Sequence, residues 1–72
     1  MNNENNRVKI YGRDCRTGKN MVHVTYYLTA DEAYEDYKKS VRFFKECLPI
    51  GETITVVRER WGNIMAMETI TH

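Results

Sequence analysis

The stretch Thr29 to Cys47, TADEAYEDYKKSVRFFKEC, is the only long helical pattern in the chain, and the segments before and after it read as short strands. One helix must therefore cover one sheet. Ala30, Ala33, Tyr34, Tyr37, Val41, Phe44 and Leu48 recur at three- and four-residue spacing, which lines them along a single helical face. Thr29 followed by Glu32 has the spacing of a capping box. Asp31, Glu32, Glu35 and Asp36 occupy the early turns and Lys38, Lys39, Arg42 and Lys45 the late ones, so the charges oppose the helix dipole at both ends. Pro49 and Gly51 mark the stop.

The strands follow from alternation. Arg7 to Arg13 places Val8 and Ile10 on one side and Lys9, Tyr11 and Arg13 on the other. Asn20 to Leu28 alternates Val22, Val24, Tyr26 and Leu28 with Met21, His23, Thr25 and Tyr27. Pairing Val8 and Ile10 with Val22 and Val24 requires an odd loop, and Arg16-Thr17-Gly18 fits a three-residue turn. Ile10 is then expected opposite Val24, and Tyr11 opposite His23.

Glu52 to Arg60 and Ile64 to Thr71 form the second hairpin. A three-residue Trp61-Gly62-Asn63 loop gathers Ile54 and Val56 with Ile64, Ala66 and Ile70 beneath the helix. It leaves Val57, Trp61, Met65 and Met67 on the opposite face, and a Glu68 ion pair with Arg58 or Arg60 is expected across the strands.

These elements predict an α+β fold, β-β-α-β-β, with the helix on one side of a four-stranded antiparallel sheet of order 2-1-3-4; order 1-2-3-4 is the alternative. Residues 1–6, MNNENN, read as a disordered tail and 7–72 as a single domain. The expected core is Val8, Ile10, Val22, Val24, Tyr26, Ile54, Val56, Ile64, Ala66 and Ile70 under Tyr34, Tyr37, Val41 and Phe44.

Function is read from what the helix leaves uncovered. Tyr11, Met21, Tyr27, Val57, Trp61, Met65 and Met67 are assigned to the open face, where a one-helix, one-sheet protein ordinarily places polar groups. That face is the expected protein-binding surface of a small regulator or inhibitor, most simply a homodimer with two sheets packed face to face. The alternative is nucleic-acid binding through a basic first hairpin, with Arg7, Lys9, Arg13, Arg16 and Lys19 as contacts. A net charge of +1 supplies no global attraction for nucleic acid, so that reading needs a local patch.

No enzyme is expected. His23, His72, Cys15 and Cys47 show no metal-ligand spacing, so neither a metal nor another cofactor is implied. No apolar leader or membrane-spanning run is visible, and the thiols suit a reducing, cytoplasmic setting.

Overall fold

The computed structural model describes residues 6–13, 18, 20–48 and 50–71. The elements are β1 (Asn6–Arg13), β2 (Asn20–Tyr27), α1 (Ala30–Cys47), β3 (Thr53–Arg60) and β4 (Asn63–Thr71). The sheet order is β2-β1-β3-β4 with every neighbouring pair antiparallel, as the sequence predicts. Asn6, read as the end of the tail, is the first residue of β1; residues 1–5 lie outside the described residues.

The helix begins where expected. Thr29 Oγ1 accepts the backbone N–H of Glu32 at 3.1 Å, and the Thr29 hydroxyl donates to the Glu32 carboxylate at 3.2 Å. The carboxylate therefore meets the hydroxyl of the cap rather than its backbone N–H. Leu48 ends the helix, its N–H bonding the Phe44 carbonyl at 3.1 Å and its side chain buried; Pro49 lies outside the described residues. Ala33, Val41 and Leu48 pack on Val8, Ile54, Val56 and Ile70, with Ile10, Tyr27, Tyr37 and Phe44 around them. Tyr34 stays at the rim, under Lys38 and Arg58, whose charges lie 4.5 and 5.2 Å from its ring centroid.

Two registers differ from expectation. In β2, Ile10 stands opposite His23 and Tyr11 opposite Val22, one residue away from the expected pairing. A one-residue slip exchanges the faces of a whole strand. Val22, Val24 and Tyr26 thus lie on the open face, while Met21, His23, Thr25 and Tyr27 lie on the helix side. The last pair is Arg13 with Asn20, so an even number of residues separates the paired strands instead of the odd number expected. Of these only Gly18 is described, at φ 72°.

In the second hairpin, Ile54 faces Ile70 and Arg58 faces Ala66, the pairing expected from a three-residue loop. The turn nevertheless contains two residues, Trp61 and Gly62, at φ 55° and 80°. Positive φ at both positions is the type I′ pattern, whose twist suits a hairpin. The odd residue is absorbed by a bulge between the Arg58 and Glu59 pairings, where Met65 is extra. Beyond the bulge the faces exchange, so Ile64 pairs with Glu59 on the open face and leaves the expected core. Glu68 lies across from Val56 and bonds Lys45 of the helix at 2.7 Å, in place of Arg58 or Arg60.

Candidate protein-binding face

Registers on both sides of β1 and β3 place four side chains in each row of the open face. From β2 to β4 the first row is Tyr26, Arg7, Glu59 and Ile64; the second is Val24, Lys9, Val57 and Met67. The third is Val22, Tyr11, Thr55 and Thr69, and the last is Asn20, Arg13, Thr53 and Thr71. Thr55 and Thr69 hydroxyls bond each other at 3.0 Å, pairing two polar groups within the face.

The upper rows separate into two apolar lobes with charge between them. The β2 lobe is Val22, Val24 and Tyr26, beside Tyr11. The other lies on the β3–β4 hairpin, where Trp61 is 68% exposed, Ile64 and Met67 60%, and Met65 50%. Between them Glu59, only 9% exposed, receives Arg7 at 2.8 Å and Lys9 at 3.3 Å. Val57 is buried beside this cluster without belonging to the core under the helix.

Of the residues assigned to the face from sequence, Tyr11, Val57 and Met67 lie on it. Trp61 is at the hairpin tip and Met65 in the bulge. Met21 and Tyr27 are corrected to the helix side, because the β2 register is reversed. Met21 stands over Gly12, where an added Cβ would approach its Cε to 3.2 Å and Ile54 Cδ1 to 2.9 Å. Sequence reasoning missed Val22, Val24, Tyr26, Ile64 and Glu59. Glu59 was detectable: once β1 and β3 are adjacent with Val8, Ile10, Ile54 and Val56 inward, Glu59 shares the outward positions with Arg7 and Lys9.

Of the basic hairpin's cations, Arg7, Lys9 and Arg13 share the open face of β1. Arg7 and Lys9 are turned to Glu59, while Arg13 is exposed at the far end of β1. Arg16 and Lys19 lie outside the described residues, as do Cys15 and His72. His23 is exposed opposite Ile10, and Cys47 is a free, exposed thiol at the helix end. Among the described residues no cluster of three His, Cys, Asp or Glu side chains is placed to hold a metal, and no helix is long and apolar enough to cross a membrane.

On the other face, Tyr27 donates its hydroxyl to Asp36 of the helix, tying β2 to α1. Burial first, then this hydrogen bond and the Asp36 charge, push the Tyr27 hydroxyl up to about 12 from its ordinary 10. Between those values the folded chain keeps a proton that the unfolded chain releases, so stability falls as pH rises through the window and is fully retained below it. Denaturant midpoints measured across this range should decline, and Tyr27→Phe should flatten the decline. An equal slope in the variant would remove Tyr27 as its source.

No protein-family model, curated protein or solved structure matches the chain.

Proposed function

We propose that this chain is a protein-binding module, a regulator or inhibitor that acts by occupying a partner's surface and not by catalysis, and that it works as a homodimer. The observation that carries the partner-binding part of this reading is the β3–β4 lobe: Trp61, Ile64, Met65 and Met67 stand at least half exposed within seven residues, on a part of the hairpin the helix does not cover. Exposed apolar clusters of this kind favour association, and Trp and Met are enriched where proteins meet. Trp61 adds a second indication. It holds a left-handed backbone at a cost of roughly 1–2 kcal/mol, with most of its side chain in solvent.

The nucleic-acid reading has less support, since Arg7 and Lys9 already share a carboxylate and a phosphate would have to displace Glu59. For the protein-binding reading, immobilised wild-type chain is compared with Ile64→Lys/Met67→Lys, two substitutions at exposed positions, for capture of partners from the native extract. The expected result is a specific partner retained by the wild type and reduced at least about tenfold by the variant, with the same circular dichroism. Identical capture by both would remove the lobe from the function.

A further inference from the structure

We infer that the homodimer forms edge to edge, through antiparallel pairing of β2 with β2 of a second copy, giving one eight-stranded sheet with both helices on the same side. This rests on the homodimeric reading and names its surface. β2 is an edge strand of eight residues, NMVHVTYY, with no Asp, Glu, Lys, Arg, Pro or Gly and no bulge in its pairing. Edge strands are ordinarily blunted by such residues, because their outward N–H and C=O groups are open to another strand. The opposite edge, β4, is blunted: it carries the Met65 bulge, and Glu68 on it is engaged by Lys45. The helix packs chiefly over β1 and β3 and reaches β2 through Asp36 at the Tyr27 end.

The sequence of β2 also fits a copy of itself. Two antiparallel neighbours related by a two-fold axis normal to the sheet pair residues of equal parity, so the axis passes through a residue. With the axis at Val24 the strand pairs along nearly its whole length. Val24 then meets its own copy, Val22 meets Tyr26, Met21 meets Tyr27 and His23 meets Thr25. Apolar side chains oppose apolar ones, aromatic opposes β-branched, polar opposes polar, and no like charges meet. The β2 lobes of the two copies join into one apolar strip across the seam.

A face-to-face dimer is less favourable. It would desolvate the Arg7, Lys9 and Glu59 cluster, whose formal charge is +1, without supplying it a counter-charge from the apolar lobes. Edge pairing leaves that cluster and the β3–β4 lobe outside the seam, available to a different protein.

The test uses the full chain and light scattering coupled to size exclusion, with isotope-filtered NMR on mixed labelled and unlabelled copies. The wild type is expected at twice 8.6 kDa, with interchain contacts between Val24 methyls and between Val22 and Tyr26. Val22 and Tyr26 are 58% and 50% exposed, so both can be charged without entering the core. Val22→Lys/Tyr26→Glu places opposite charges across the seam and should remain a dimer; Val22→Lys/Tyr26→Lys should raise the dissociation constant by on the order of tenfold or more. Circular dichroism of each variant verifies the fold. Equal dissociation constants for the two variants overturn the edge pairing. A dimer with interchain contacts at Val57, Ile64 and Met67 also overturns it, while leaving a homodimer in place. A wild-type monomer at high concentration overturns both the edge and the homodimer.

Discussion

Val41→Asp is expected to leave the chain unfolded at room temperature. Val41 lies at the middle of the helix face, 9% exposed, in one cluster with Val8 and Val56 beneath it. Two charged groups on this side, Lys45 with Glu68 and Arg58 over Tyr34, already have partners. An ionised carboxylate there loses its water without gaining a counter-charge, at a cost of several kcal/mol. A domain of 72 residues has only roughly 4–10 kcal/mol to lose. Loss of helical circular dichroism and of amide shift dispersion is the expected measurement. Val41→Ala should remain folded and lose ~2 kcal/mol. A folded Asp variant with native dispersion would show that the helix does not seat through Val41.

The second large effect is expected on the opposite face. Glu59→Ala removes the carboxylate that Arg7 and Lys9 share, leaving two cations crowded in a partly desolvated place. Breaking a fully buried pair costs ~3–5 kcal/mol; Arg7 and Lys9 retain some solvent, so about 2 kcal/mol is expected here. For a domain of this size that lowers Tm by about 8–16 °C. The triple variant Arg7→Met/Lys9→Met/Glu59→Leu should recover much of the loss, because replacing all the charges leaves none unpaired. Scanning calorimetry of both variants measures this. A Glu59→Ala protein as stable as wild type would mean that the cluster contributes nothing, and would return Arg7 and Lys9 to the pool of free surface cations.

The apolar surface of this protein is divided according to what each edge of the sheet can do. On the β4 side the bulge turns Ile64 onto the open face with Met67, near Trp61 at the hairpin tip, and interrupts the regular pairing of that edge strand. On the β2 side the edge is regular and carries no Asp, Glu, Lys or Arg, so it lacks the charges that commonly blunt an edge strand. Between them, Glu59 keeps the middle of the face internally paired. The proposed division of labour assigns the β2 edge to a copy and the β3–β4 lobe to another protein.

Local patterns determined much of the architecture. The three-and-four spacing of Ala33, Tyr37, Val41 and Phe44, with the Thr29 cap, was sufficient for the helix and its inward face, because these are properties of one segment and its neighbours. The alternation of Val8 and Ile10 against Lys9 and Tyr11 likewise oriented β1, and right-handed, uncrossed connections narrowed the strand order. Tertiary structure alone decided the facing of β2. Both of its faces carry residues suited to a strand, so alternation left its parity to the length of the loop after Arg13, which local turn chemistry misjudged. The contact that distinguishes the two facings, Tyr27 with Asp36, joins a strand to a helix and exists only once both are packed. The same holds for Ile64: local spacing supplied the odd residue of the second hairpin, but whether it sits in the turn or in a bulge depends on seating Ile54, Val56 and Ile70 under the helix while Trp61 and Gly62 keep a two-residue turn. A one-residue shift is energetically small along the chain and large across a sheet, because it moves every side chain beyond it between the core and the open face.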